Sequence, residues 1–252
     1  MNSKIDDQFA AGLYRVPRIP LITPGDDIGQ IVYRCATEDG FTFEDNDIVV
    51  VTHKVVSKAE NAIVRYTEII PGEKAQELAA KTGRDARLCQ VYIDESSEIL
   101  GVKGRMVITR HRLGFVNTVA CVDRSNVAPH DREIVVLLPK VPDQSARQIR
   151  SSIKALSGKD VAVIIIDSFG RPDRYGAIGI AIGIAGIRHL EERHQQDLYA
   201  NPSNPHIALI DELAGAASML MGEADEGYPV VIVRGVPYTV DEDARITSIL
   251  EN

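Results

Sequence analysis

Val161-Ala162-Val163-Ile164-Ile165-Ile166, followed at once by Asp167-Ser168-Phe169-Gly170-Arg171-Pro172, is the stretch on which the fold turns. Its first six residues are all apolar and mostly β-branched, which predicts a strand buried on both faces inside a sheet. Further along, Ile178, Ile180, Ile182 and Ile184 alternate with Gly179, Ala181, Gly183 and Ala185. That period of two predicts a second strand with one bulky face and one very small face. Asp47–Thr52, Met106–Arg110, Phe115–Val122, Ile134–Leu138 and Val230–Val233 read as further strands. Helices are expected after Gly72, ending at Gly83, and from about Asp85 with Leu88, Val91 and Ile99 on one face. Another is expected behind Asp143 as N-cap, with Ile149, Ile153 and Leu156 as its apolar stripe and Gly158 as its end, and a last one over Asp211–Met221, stopped by Gly222. Strands outnumber helices and no βαβ rhythm holds throughout, so the expected class is α+β with a mixed sheet. The expectation is a single domain over residues 1–252, with a division into two subdomains left open.

Composition narrows the function classes. The chain has 252 residues, with 28 Lys plus Arg against 36 Asp plus Glu, a net charge of −8. That balance argues against a protein that wraps nucleic acid and leaves room only for a local basic pocket. Cys35, Cys89 and Cys121 have neither disulfide-framework nor zinc-knuckle spacing. The N-terminal stretch MNSKIDDQFAAGLYRVP has no apolar signal core, and no apolar run approaches the roughly 20 residues of a membrane span. A cytoplasmic protein with no membrane partner is expected.

The chemistry gathers at element ends. Asp167 is expected at the exit of the VAVIII strand, where a rigid element can hold a metal-binding carboxylate. Asp123 has a similar place, with Asn126 three residues on; the carboxylate suits a hard cation and the amide a phosphate or base edge. Either Asp also serves as an ordinary turn cap. Glu223, Asp225 and Glu226 crowd one glycine-bracketed loop, which reads as a solvated acidic loop or as a cation site. Lys54 and Lys58 follow a buried strand four residues apart, so one helical turn aligns their ammonium groups toward nucleotide phosphates or toward solvent. There is no P-loop, no GxSxG elbow and no ligand spacing among the six histidines.

Taken in order, these segments resemble a known family. Ile19-Pro20-Leu21-Ile22 with Gly25-Asp26-Asp27-Ile28, Lys54 to Glu60, Asp123-Arg-Ser-Asn126-Val, Leu138-Pro139 with Pro142-Asp143-Gln-Ser-Ala, Asp167 to Pro172, Ala181 to Ile187, Asp211-Glu-Leu-Ala214, and Met221-Gly-Glu223 with Val230–Gly235 follow the pattern of the F420 γ-glutamyl ligases, from about Val16 to Gly235. The resemblance implies an α+β fold assembled as an intertwined homodimer. It implies a ligase that uses GTP and Mn²⁺ or Mg²⁺, helped by K⁺, to join L-glutamate to the phospholactyl carboxylate of a deazaflavin, coenzyme F420-0. An acyl phosphate is the expected activated acid, with no side-chain nucleophile. Asp123, Asp167, Ser168 and Glu223 are implied metal ligands. Pro17, Arg18, Ile19, Pro20, Thr52, His53, Lys58 and Asn126 are implied GTP contacts, together with Met221, Gly222, Glu223, Ala224, Asp225, Glu226, Gly227 and Tyr228. The chain departs from the family at Val119-Ala120-Cys121-Val122, usually Asn-Ala-Gly-Ile, and at Asp173-Arg174-Tyr175-Gly176-Ala177, often Trp-Arg-x-Gly-Gln. Three other readings stay open: a relative acting on a different carboxylate, a metal-dependent phosphohydrolase, and a non-catalytic nucleotide-binding protein.

Overall fold

The computed structural model describes residues 11–127, 131, 133–192 and 194–250. Residues 1–10 of the N-terminal stretch and His130 lie outside the described residues. β1 (Gly12–Arg15) leads to α1 (Ile28–Glu38), whose N-cap Asp27 accepts from Gln30 N. The β-branched run forms β2 (Ile48–Thr52), and the chain turns directly into α2 (His53–Ala59). β3 (Ile63–Arg65), α3 (Glu73–Thr82) and α4 (Ala86–Asp94) follow, with Gly83 closing α3 at φ +65°. Then come β4 (Ser96–Lys103), β5 (Met106–His111), β6 (Val116–Thr118), β7 (Ile134–Val136) and α5 (Pro142–Ser157). β8 (Ala162–Arg171) and β9 (Arg174–Ala185) make a long hairpin. Four two-residue strands, β10 (Glu191–Glu192), β11 (Gln195–Gln196), β12 (Pro202–Ser203) and β13 (His206–Ile207), precede α6 (Leu209–Met221) and β14 (Val230–Arg234).

The main sheet has the order β1-β14-β2-β8-β9, with β2 parallel to β8 and every other pairing antiparallel. This is the expected mixed α+β arrangement. Its strands and α1, α5 and α6 surround the larger hydrophobic core. A smaller core gathers Leu78, Leu88, Tyr92, Val107, Val122 and Val135 beneath α3, α4, the β3–β7 pair and the β4-β5-β6 sheet. No helix among the described residues is long and apolar enough to cross a membrane.

The small face of β9 has a direct cause. A methyl on Gly179 would lie 2.6 Å from Ala214 O of α6, and one on Gly183 would lie 2.5 Å from Pro142 Cβ of α5. Both helices therefore sit against bare backbone. Gly183→Ala is expected to cost about 1–3 kcal/mol by overpacking, read as a lower denaturation midpoint; an unchanged midpoint would show that α5 shifts freely.

Several expectations need correction. Asp167 is not at a strand exit, because β8 runs on to Arg171 through its pairing with β9. Asp143 is not an N-cap: α5 starts at Pro142, and the buried Asp143 side chain accepts from Ile184 N at 2.8 Å and Ile246 N at 3.1 Å. Leu156 is exposed, and Ile99 lies in β4 instead of continuing α4. The strand expected to reach Val122 stops at Thr118, and Val119, Ala120 and Cys121 each take φ +53°. Left-handed backbone costs roughly 1–2 kcal/mol per non-glycine residue. Burial of Ala120, Cys121 and Val122 offsets it, as does the Ala120 N–H donating to Thr109 Oγ1 at 3.0 Å. This turn, not a strand end, delivers Asp123, which then bridges to Val136.

Candidate active site

The parallel register of β2 and β8 sets Thr52 beside Ile166, so the residues after each, His53 where β2 ends and Asp167 where β8 continues past it, come together. Ligands of open α/β sheets gather at the carboxyl ends of strands. His53 opens α2 and its ring is fully buried. Its Nδ1 lies 3.2 Å from Ser57 Oγ. Its Nε2 lies 3.3 Å from Asp123 Oδ2 and 3.3 Å from Asp167 Oδ1. Lys54 Nζ reaches the same Asp123 oxygen at 3.1 Å. One turn on, Lys58 Nζ donates to Asn126 O at 2.6 Å. Asn126, at φ +56°, donates through Nδ2 to Ala224 O at 2.7 Å and so ties this loop to the acidic loop. Ser168 Oγ donates to Glu223 Oε1 at 2.6 Å.

Electrostatics follow from that geometry. Burial alone would lower the His53 pKa, but the charge of Asp167 and the hydrogen bond to Asp123 outweigh it and raise it to about 9. Burial pushes the Asp123 carboxyl up, yet its hydrogen bond to His53 and the Lys54 charge hold it below the ordinary range. Burial first, and then Lys54, lowers the Lys58 ammonium. Burial and the neighbouring Asp167 charge push the Cys121 thiol well up.

Three side chains, His53, Asp123 and Asp167, place donor atoms within 4.8 Å of one another. Two carboxylates face a buried imidazole and the Lys54 ammonium. The hydroxyl of Ser168, next to Asp167 in sequence, and the carboxylate of Glu223 add hard oxygens beside them. This oxygen-rich set fits a divalent cation such as Mg²⁺ or Mn²⁺.

A cavity of about 700 Å³ opens next to the cluster. Thr52, Lys54, Lys58, Asn126, Asp167 and Ser168 line it. Ile19 and Pro20 add apolar surface with Leu21 and Ile22, and Met221 through Tyr228 complete the lining. The implied GTP contacts thus largely share one cavity. Pro17 and Arg18 are not part of its wall; Arg18 instead pairs with Asp39 at 2.8 Å. His53 does not line the cavity and is buried between the carboxylates. Sequence reasoning treated it as a nucleotide contact and missed this bridging place. Its position directly after a buried strand was the one available clue. Asp123 does not line the cavity and meets it through Lys54.

Comparison with known proteins agrees with the order of the motifs. A family described as F420-0:Gamma-glutamyl ligase matches residues 17–235. The Coenzyme F420:L-glutamate ligase of Methanothermobacter thermautotrophicus is 41% identical over 228 residues, covering 90% of this chain and 89% of that one. The protein of the same name from Methanocaldococcus jannaschii is 46% identical over 202 residues, covering 79% and 80%. The one from Methanopyrus kandleri is 41% identical over 227 residues, covering 88% and 87%. With a match that spans both strand ends, both loops and the α5 and α6 helices, the chain belongs to the F420-0:gamma-glutamyl ligase family.

Proposed function

We propose that this chain joins L-glutamate to the phospholactyl carboxylate of coenzyme F420-0, using GTP and a divalent cation. The observation that carries the reading is the convergence of Asp123, Asp167 and His53 at the edge of a cavity that two lysines enter. Family membership and relatives named for this ligation support it.

The chemistry the residues suit has two steps. The acid's carboxylate oxygen attacks the γ-phosphorus of GTP, the bond to GDP breaks, and an acyl phosphate forms. The amine of glutamate then attacks the acyl carbon, the amide forms, inorganic phosphate leaves and the amine proton passes to solvent. Positioning and charge neutralisation dominate such transfers. Lys54 and Lys58 hold phosphate oxygens as point charges, and the Asn126–Ala224 bond closes the cavity around the nucleotide. Asp123, Asp167, Ser168 and Glu223 would hold Mn²⁺ or Mg²⁺, which supplies Lewis-acid neutralisation when bound. The test is mass spectrometry after incubation with GTP, Mn²⁺, K⁺, L-glutamate and the deazaflavin phospholactate. A product heavier by one glutamyl unit is expected. GTP consumed without that product, but with product from another acid, favours a different acceptor, a reading that the departures at Cys121 and Asp173–Ala177 support.

Lys58→Ala is expected to raise the KM for GTP about tenfold, matching about 1.4 kcal/mol of lost phosphate contact. A normal KM would place the phosphates elsewhere. The chain is also read as a homodimer, because Tyr175, Leu198, Tyr199 and Met219 project large apolar surface into solvent. Light scattering is expected to give twice the 27.6 kDa chain mass, and a value at one chain mass would refute it.

A further inference from the structure

Arg171 stands in the motif that follows Asp167, and nothing in the chemistry above uses it. Its Nε is buried and, among the described residues, has no hydrogen-bond partner. Its guanidinium makes a long contact through Nη2 with Gly176 O at 3.5 Å, and no carboxylate among the described residues pairs with it. A half-buried guanidinium is stable only with acceptors to fill its fork. The surroundings sharpen the point. Arg171 is register partner of Arg174 at the end of the β8–β9 hairpin, and Lys103 at the end of β4 donates to Pro172 O at 3.1 Å. Three cations thus meet one acid, Asp173, at this tip, in a chain whose net charge is −8. Neither Arg174 nor Lys103 has a carboxylate partner among the described residues, so the local excess is uncompensated.

Position supplies the rest. Arg171 lies four residues beyond Asp167 on the same strand, at most about 13 Å away at strand rise. A substrate whose carboxylate reacts beside Asp167 and whose body runs along β8 brings a second anionic group to the tip. The guanidinium fork matches a phosphate or carboxylate in two parallel hydrogen bonds, which an ammonium cannot do.

We propose that Arg171 is a specificity-determining residue that binds a second oxyanion of the substrates on the acceptor side, the phosphodiester of the deazaflavin acid or a carboxylate of glutamate, and not the nucleotide. The proposal rests on the ligase reading given above. The test is calorimetric binding of the deazaflavin phospholactate, of L-glutamate and of GTP, each to the wild-type full chain and to Arg171→Gln and Arg171→Lys, with thermal midpoints measured alongside. The expected result is at least a tenfold rise in Kd for one acceptor-side substrate in Arg171→Gln, partial recovery in Arg171→Lys, and an unchanged Kd for GTP. Weakening toward the deazaflavin acid identifies the phosphodiester; weakening toward glutamate identifies its carboxylate. Equal affinities in all three proteins, weakening toward GTP alone, or a wild type that binds neither acceptor-side substrate overturns the proposal. A lower midpoint with unchanged affinities also overturns it, since that marks a hairpin strut. A wild type that binds the acid but forms no glutamyl product refutes the ligase reading while the Arg171 comparison still stands on its own.

Discussion

Asp167→Asn lowers kcat for ligation by about 10³-fold, which is ~4 kcal/mol of transition-state stabilisation. Asp167 supplies one of the two negative charges that meet at His53 Nε2, and it is nearly buried, so water replaces little of what is lost. The amide keeps the shape and can still accept the Ser168 N–H that Asp167 Oδ1 accepts at 2.7 Å. Folding is therefore retained, with a thermal midpoint within a few degrees of the parent. The His53 pKa, about 9 with Asp167 in place, drops in the variant because its leading charge partner is gone, and an NMR titration of the ring follows this directly. Activity within tenfold of the parent removes Asp167 from the chemistry.

Asp143→Ala produces the largest stability loss. Each carboxylate oxygen accepts one backbone N–H, from Ile184 on β9 and from Ile246 in the C-terminal segment, and all three residues are buried. Alanine strands both donors. At about 1–3 kcal/mol for each unsatisfied buried group, the loss is about 2–6 kcal/mol. Burial pushes the Asp143 carboxyl up, against the pull of those two N–H groups. Asn keeps one acceptor and is expected to lose less. Denaturant unfolding with an unchanged m-value measures both variants; a loss under about 1 kcal/mol for alanine would show that water fills the gap.

Asp143 also marks the boundary of what sequence can tell. An Asp next to a helix start reads as a cap, because capping is local and common. Its true partners lie 41 and 103 residues away, and no pattern near Asp143 announces them. The same division runs through the molecule. β2, the buried part of β8, β14 and the glycine ends of α3, α5 and α6 were legible, since β-branched runs and left-handed glycines act within a few residues. The left-handed turn at Val119–Cys121 was not, because a β-branched residue disfavours that backbone and only tertiary burial holds it there. In the site, Asp123 and Asp167 were picked out by the apolar runs before them, although neither stands at a strand exit, and the order of the motifs along the chain pointed to the family. The place of His53 between the carboxylates was not legible because its partner Asp123 is 70 residues away, joined only by the fold. Arg18 was placed with the nucleotide by its segment, and nothing local announced the ion pair it makes with Asp39.

The left-handed turn has one more consequence. Ala120 and Val122 pack into the smaller core while Cys121 packs into the larger one, so alternate residues of a three-residue stretch are clamped by different bodies of side chains. Asp123 hangs directly from that seam, whereas His53 opens α2 at the end of β2 and Asp167 belongs to β8 of the main sheet. The two carboxylates meet only while both cores are formed and docked. The pair therefore works as a coincidence detector for folding: a chain that has built its sheet but not its smaller core has Asp167 in place without Asp123 beside it.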